Sequence, residues 1–106
     1  MRATGKRYGM SEAKLRQVWD RDGSDCLYCG YPGDAIDHVE PYSYRHNNSL
    51  DNLVVACTAC NLIAGGNFFS NFEEKREWVL IRRRPQILAD YARFARDQQH
   101  DLDEQA

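Results

Sequence analysis

The chain has 106 residues, enough for one domain with a small hydrophobic core. Hydrophobic residues make up 42% of the chain and charged residues 28%, a balance typical of soluble globular proteins. No apolar run approaches the length of a membrane-spanning helix, and the first ten residues, MRATGKRYGM, contain no apolar secretory stretch. We therefore expect a cytoplasmic protein that does not contact a membrane.

The formal net charge is −2, which argues against tight DNA binding through charge alone. The charge is unevenly distributed, because residues 97–106 hold four acids and no Lys or Arg. Residues 1–96 therefore carry 14 bases against 12 acids, and 11 of the bases are Arg, which suits bidentate phosphate contacts. This distribution is compatible with weak non-specific binding to nucleic acid.

The first predicted element is a helix over about residues 11–21. Ser11 suits its N-cap, and the apolar residues Leu15, Val18 and Trp19 recur at helical spacing before the sequence DRDG closes the helix. We expect the apolar side of this helix to pack on the segment that follows.

The middle of the chain has a different pattern. Two short apolar runs, AIDHV and NLVVA, lie between two CxxC sequences and are separated by a polar stretch. They predict two antiparallel strands that flank a long loop. After Cys60, the sequence NLIAGG predicts a short helix that Gly65 and Gly66 stop.

Two more helices are predicted after residue 66. Ser70 and Glu73 fit a capping box for a helix over about 71–83, and Pro85 suits the first turn of a last helix over about 85–98. The predicted apolar face of the last helix consists of Ile87, Leu88, Tyr91 and Phe94.

Together these elements predict a small α+β fold in one domain, residues 1–106. An N-terminal helix at 11–22 precedes a metal-bound ββα core at 23–66, and C-terminal helices with an acidic tail occupy 67–106. Three aromatic residues are predicted to lie in the core rather than to stack on bases: Trp19, Trp78 and Phe94.

The four cysteines are spaced Cys26-x2-Cys29-x27-Cys57-x2-Cys60. Two CxxC turns can present four thiolates to one ion in a closed tetrahedral site, the arrangement of structural zinc. Zinc binding releases about 10–16 kcal/mol in zinc-finger peptides, so it would stabilise so small a fold substantially. Redox CxxC pairs fit less well because no βαβ pattern surrounds them, and disulfides are disfavoured in a reducing compartment.

The segment between the cysteine pairs contains IDHVEP and then runs into LDNLVVACTACN. With CLYCG at the first pair, these sequences resemble the HNH endonuclease family. That family combines an Asp-His pair on the first strand, an Asn at the start of the second strand, and a His or Asn directly after the last zinc cysteine. The resemblance covers roughly residues 11–66, and the matching positions are Asp37, His38, Asn52 and Asn61.

The resemblance implies a metal-dependent DNA endonuclease of low sequence specificity, with His38 as the general base that activates water. Asp37 and Asn61 would supply oxygen ligands to a catalytic Mg²⁺ or Mn²⁺, while the zinc would be structural. Asn52 would orient the loop and the His38 ring through hydrogen bonds. One site per chain cuts one strand, so a monomer would nick DNA and a homodimer could cut both strands. No small-molecule cofactor is implied.

The order of Asp37 and His38 restricts where such a site can lie. Successive residues of a strand point to opposite faces of a sheet, so both side chains can serve one site only at the end or edge of the strand. Pro41 supports this position because it cannot continue a hydrogen-bonded ladder.

Two departures from the family concern DNA contacts. The family usually has a Lys three residues after the His or Asn that follows the last cysteine, and here that residue is Ala64. The loop also reads SYRHNNSLD where the family commonly has a pair of glycines. An Arg elsewhere would have to supply the phosphate contact, and the candidates are Arg45 first, then Arg82 and Arg83.

Two alternatives stay open. The first is a zinc module that binds nucleic acid without cleaving it, which Ala64 and the low positive charge favour and which intact Asp37, His38 and Asn61 disfavour. The second is a zinc-stabilised protein-interaction domain whose helices dock a larger protein partner. A nuclease that depends on such a partner would combine both ideas.

Overall fold

The computed structural model describes residues 9–105, with side chains described up to residue 99. The basic residues 1–8 and the side chains of most of the acidic tail lie outside this part. The fold is the predicted small α+β arrangement of a two-stranded sheet and helices. In chain order the elements are α1 (Glu12–Asp22), β1 (Ala35–His38), α2 (Tyr42–Arg45), a 3-10 helix (Leu50–Asn52), β2 (Leu53–Ala56), α3 (Thr58–Ala64) and α4 (Phe72–Gln105).

The predicted N-terminal helix is confirmed as α1. The Ser11 side chain caps it by accepting a hydrogen bond of 3.1 Å from the backbone N–H of Lys14. Gly23 ends it with φ of 80°, which favours glycine, and donates its N–H to the Trp19 carbonyl. Leu15 on the buried side of α1 is 2% exposed, so this helix covers part of the core.

The two predicted strands form an antiparallel hairpin in which Ala35 pairs with Ala56 and His38 with Leu53. Both strands are buried on both faces. One face packs against α1, and the other contributes to a cluster that contains the cysteines and residues of α3 and α4. This double coverage explains why β2 is continuously apolar, whereas β1 ends in the buried polar residues Asp37 and His38.

The helix α3 begins earlier than its sequence suggested. Thr58 is its first residue because the Cys57 sulfur accepts a hydrogen bond from the Cys60 N–H and so caps the helix. Gly65 ends it with φ of 56°. The prediction that Asn61 opens this helix is therefore wrong, since Asn61 is its fourth residue.

The two predicted C-terminal helices are one helix of 34 residues, α4. Its cap is Asn71 rather than Ser70, because the Asn71 side chain accepts a hydrogen bond of 2.8 Å from the Glu74 N–H. Pro85 lies inside the helix. A proline removes one backbone hydrogen bond, but strong helix formers such as Arg, Leu and Ala dominate the sequence on both sides.

The apolar face predicted near the end of α4 is mostly exposed. Leu88 is 60% exposed, Tyr91 71% and Phe94 61%, so the assignment of Phe94 to the core is wrong. Trp19 and Trp78 are partly buried and pack against the two core clusters. The reason is the length of α4, which extends past the rest of a molecule measuring 58 × 27 × 19 Å.

Across the described residues, none of the helices combines the length and the apolar character needed to cross a membrane.

Candidate metal centre and active site

The four cysteine sulfurs lie within 4.8 Å of one another, at the junction of the first CxxC turn and α3. Cys29 Sγ and Cys57 Sγ are 3.7 Å apart, and none of the four cysteines forms a disulfide. A zinc ion about 2.3 Å from four tetrahedral sulfurs would hold them about 3.8 Å apart. Among the described side chains, this cluster is the one group of three or more Cys, His, Asp or Glu that could hold a metal.

The close packing of the four sulfurs also affects their protonation. The hydrogen bond with the Cys60 thiol lowers the pKa of Cys26 to about 4, and the same bond raises the pKa of Cys60. Burial raises the pKa of Cys57. Four adjacent thiolates repel one another unless a cation balances them, and a bound zinc ion keeps them deprotonated.

Arg83, from α4, lies beside this cluster rather than at the surface. It is 6% exposed, its Nη2 is 3.9 Å from Cys29 Sγ, and its guanidinium lies 5.0 Å from the centre of the Tyr31 ring. A four-thiolate zinc site carries a net negative charge, which a neighbouring guanidinium stabilises. Arg83 is thus placed to support the metal centre, and its burial leaves little of the side chain exposed for a contact with DNA.

The carboxylate of Asp37 is the centre of a buried polar group. Asp37 is 5% exposed, and its Oδ2 accepts a hydrogen bond of 2.5 Å from the Tyr28 hydroxyl and lies 2.8 Å from Lys75 Nζ. No donor among the described residues contacts Oδ1. Burial and the adjacent carboxylate both raise the pKa of Tyr28, so its hydroxyl stays protonated and donates to Asp37.

His38 is the last residue of β1 and is 7% exposed. Its Nε2 is 2.8 Å from Oδ1 of Asn48, and its ring meets the Tyr42 ring edge-on at 5.4 Å between centres. An amide oxygen only accepts hydrogen bonds, so Nε2 carries the proton in this contact and Nδ1 carries the lone pair. This is a tautomer that can accept a proton at Nδ1.

Asp37 and His38 contact different elements, as their alternation along β1 requires. Asp37 pairs with Val54, which belongs to the cluster around the cysteines, whereas His38 pairs with Leu53, which belongs to the cluster on α1. The two side chains therefore lie on opposite faces of the hairpin. Since His38 ends the strand, a substrate that reaches both must bind at that end.

Asn52 lies directly before β2 and makes three side-chain hydrogen bonds. Its Oδ1 accepts from the Glu40 N–H at 2.7 Å, and its Nδ2 donates to the carbonyls of Glu40 at 3.1 Å and Asn47 at 2.9 Å. These bonds close the loop that carries α2. The resemblance implied that Asn52 also orients the His38 ring, and the amide that lies against Nε2 of this ring is that of Asn48.

Asn61 is half-buried on α3, whose residues pack against the same face of the hairpin that bears Asp37. Within the described part of the chain, its side-chain amide has no hydrogen-bond partner. Its amide oxygen and Oδ1 of Asp37 are oxygen donors of the kind that Mg²⁺ and Mn²⁺ prefer. The residues present therefore fit a hard divalent ion in their chemistry, although Asp37 already has a cationic neighbour.

The two other candidate DNA contacts are exposed. Arg45 forms a bidentate pair with Glu40, with distances of 3.0 and 2.6 Å, and this pair lowers the pKa of Glu40. The Arg82 guanidinium stacks over the Trp78 ring at 3.5 Å from its centre. Both guanidinium groups are held in place near the surface, where phosphate could reach them.

Three residues at this site were not among the candidates from sequence: Tyr28, Asn48 and Lys75. Tyr28 lies between the first two cysteines, a position that suggested only a zinc knuckle. Asn48 follows another Asn in a polar loop, where nothing distinguishes one amide from the next. Lys75 lies on a helix outside the resembling segment, so only its contact with Asp37 reveals it.

Comparison with known proteins agrees with this geometry. No curated protein matches the chain. Residues 26–66 match the family described as HNH endonuclease, a segment that runs from the first cysteine to just beyond α3. It contains the cysteine cluster, the hairpin and all four residues of the predicted motif. The match shows an HNH endonuclease domain over residues 26–66 of this chain.

Proposed function

We propose that the protein is a metal-dependent endonuclease that hydrolyses phosphodiester bonds of DNA, with His38 as the general base. The observation that carries this proposal is the contact between His38 Nε2 and Asn48 Oδ1 at the end of β1. It fixes the ring and leaves the lone pair on Nδ1, which is what proton abstraction from water requires. The HNH match over residues 26–66 supports nuclease activity in general.

Asp37 and Asn61 would hold the catalytic Mg²⁺ or Mn²⁺. Such an ion supplies Lewis-acid stabilisation of charge on the phosphate oxygens. The protein's own contribution is to hold the two oxygen donors on one side of the hairpin and the imidazole at its end. Asn52 keeps the intervening loop closed, which helps to hold the His38 ring in a fixed position relative to water and phosphate.

The cysteine cluster would bind one structural zinc ion. All of its four ligand positions are cysteines, three of them buried, so no position remains open for catalysis. The ion would join the first CxxC turn to α3 and thereby hold Asn61 opposite β1. Metal analysis of purified protein should give about one zinc per chain.

The DNA contacts proposed here are Arg45 and Arg82, which present charge without reading bases. We accordingly expect low sequence specificity. One catalytic site per chain favours nicking by a monomer, and cleavage of both strands would need a homodimer or a larger protein partner.

The test is incubation of zinc-loaded protein with supercoiled plasmid in Mg²⁺, in Mn²⁺ and in a chelator specific for hard ions. We expect conversion to open-circular DNA with either ion and none with the chelator. His38→Ala, purified in parallel, is the control for contaminating nucleases. Equal nicking by wild type and His38→Ala would refute the assignment of the base.

A zinc module that binds nucleic acid without cleaving it is the second candidate. The observation that favours it is the buried Lys75, which already balances the charge of Asp37 without a metal. If wild type binds DNA with zinc present yet never cuts it in Mg²⁺ or Mn²⁺, this function is the better account.

A further inference from the structure

Lys75 has an unusual environment for a lysine. It is 1% exposed, the lowest value for any charged side chain that the structure describes. Its Nζ lies 2.8 Å from Asp37 Oδ2, 2.7 Å from the His38 carbonyl and 3.2 Å from the Val39 carbonyl. An ammonium group has three N–H donors, and these three acceptors use all of them.

The surroundings of this ion pair are apolar and aromatic. Nζ lies 5.7 Å from the centre of the Tyr28 ring and 5.9 Å from that of Phe69. In such a site two opposite charges attract more strongly than they do in water, and either charge alone would be costly. Lys75 therefore fixes the orientation of the Asp37 carboxylate.

The two oxygens of Asp37 are consequently unlike. Oδ2 receives both Lys75 and the Tyr28 hydroxyl, whereas no described donor contacts Oδ1. The oxygen that remains for a metal ion is Oδ1. Because the Lys75 charge neutralises the carboxylate, a divalent ion at Oδ1 gains less than it would from an isolated aspartate.

We propose that Lys75 is a positioning residue of the nuclease site. It pairs with Oδ2 of Asp37, so that Oδ1 is the oxygen that binds the divalent ion. Its positive charge also weakens the binding of that ion. The proposal rests on the proposed function, in which Asp37 is a metal ligand. It also gives α4, which lies outside the HNH match, a direct role at the end of β1.

The experiment measures Mn²⁺ binding to the zinc-loaded full chain by electron paramagnetic resonance of the free ion, without DNA. Lys75→Met removes the charge and nearly preserves volume, and Lys75→Gln keeps hydrogen-bond donors without the charge. Both should bind Mn²⁺ more tightly than wild type, by about tenfold or more. A merely structural role for Lys75 predicts the opposite direction, since a loosened site binds metal more weakly.

Arg76→Met is the matched control, because it removes one positive charge at the next position of α4, where the guanidinium contacts the Leu27 carbonyl instead of Asp37. Its Mn²⁺ affinity should equal that of wild type. Zinc content and circular dichroism establish that each variant is folded, and Lys75→Gln serves if Lys75→Met does not fold.

Asp37→Asn, alone and combined with Lys75→Met, separates the two proposals. We expect both proteins to bind Mn²⁺ equally weakly, because the Lys75 effect passes through Asp37. If Asp37→Asn abolishes binding but Lys75→Met and Lys75→Gln match wild type or bind less tightly, the role of Lys75 is refuted and the metal site stands. If Asp37→Asn leaves Mn²⁺ binding unchanged, Asp37 is not a ligand and both proposals fail.

Discussion

Oδ1 of Asn48 lies 2.8 Å from Nε2 of His38, a contact that joins the loop after α2 to the last residue of β1. The backbone of Asn48 is held in turn, because its carbonyl accepts a hydrogen bond of 2.7 Å from Lys14 Nζ on α1. The imidazole is thus oriented by a residue that is itself anchored to a helix. Such anchoring is expected if His38 acts as a general base, because the lone pair of its ring must then point at the water molecule.

Asn48→Ala should lower kcat for plasmid nicking by about 10- to 100-fold, because a tilted ring meets water in the wrong direction. The KM for DNA should change little, since Asn48 is not a proposed phosphate contact. Ser43→Ala, at an exposed position of α2, is the control and should keep full activity. An unchanged kcat in Asn48→Ala would show that the ring needs no such support.

His38→Ala should reduce cleavage by about 10²–10⁴-fold, because it removes the proton acceptor. DNA affinity, zinc content and Mn²⁺ affinity should remain close to those of wild type, since the proposed metal ligands are intact. Gel-shift assays and metal titration measure these properties beside the nicking rate. A parallel loss of zinc or of DNA binding would mean that the variant is misfolded, and the comparison should then be repeated with His38→Gln.

Cys60→Ser should abolish stable folding, because the cluster loses one of four ligands and the thiol at the centre of the fold. Apparent zinc binding in finger peptides is worth about 10–16 kcal/mol, more than the total stability of most small domains. Circular dichroism should show loss of helix, and a strong zinc chelator should unfold wild type in the same way. Ser24→Ala, at an exposed position before the cluster, is the control. A chelated protein that keeps its full helical signal would contradict a structural role for the metal.

Asn52→Ala should destabilise the zinc-loaded protein by about 1–3 kcal/mol, because the buried Glu40 N–H loses its acceptor. Urea unfolding measures the change, and hydrogen exchange at the Glu40 amide should accelerate. Asn67→Ala removes one hydrogen bond at an exposed position and should change stability by less than about 0.5 kcal/mol. Equal stability of the two variants would deny that Asn52 closes the loop.

Arg45→Ala should weaken DNA binding and reduce the slope of log affinity against log salt by about one. Phosphate competes here with Glu40 for the same guanidinium, so Glu40→Gln should strengthen DNA binding. Fluorescence anisotropy at several salt concentrations measures both slopes, with Arg93→Ala on the distal part of α4 as the control. An unchanged slope in Arg45→Ala would show that Arg45 does not contact phosphate and only forms its ion pair with Glu40.

Features that depend on neighbouring residues follow from the amino-acid sequence alone. The CxxC spacing predicts the cysteine cluster because each turn brings two thiols together locally. Ser11 and Gly23 delimit α1 through hydrogen bonds that span three or four residues. The two runs AIDHV and NLVVA predict the hairpin because short segments rich in Ile and Val favour strands.

Where prediction from sequence failed, either a neighbouring residue provided the cap instead, or the outcome depended on the whole fold. Asn71 rather than Ser70 caps α4, and the Cys57 sulfur caps α3. Phe94 was assigned to the core from its periodicity, but periodicity gives a face of a helix and not a partner for it. The exposure of that face depends on how far α4 extends past the sheet, which is a property of the whole fold.

The surroundings of the proposed catalytic residues depend on long-range packing and do not follow from local sequence. Asp37 and Lys75 are 38 positions apart in sequence, but their charged groups are 2.8 Å apart in space. A buried charge is costly unless an opposite charge lies beside it, and here that charge comes from a distant helix. Among the amides of one polar loop, the same packing selects Asn48 for the His38 ring. The spacing of the motif identifies the proposed catalytic residues. Their orientation and electrostatic environment depend on other side chains, which long-range packing places beside them.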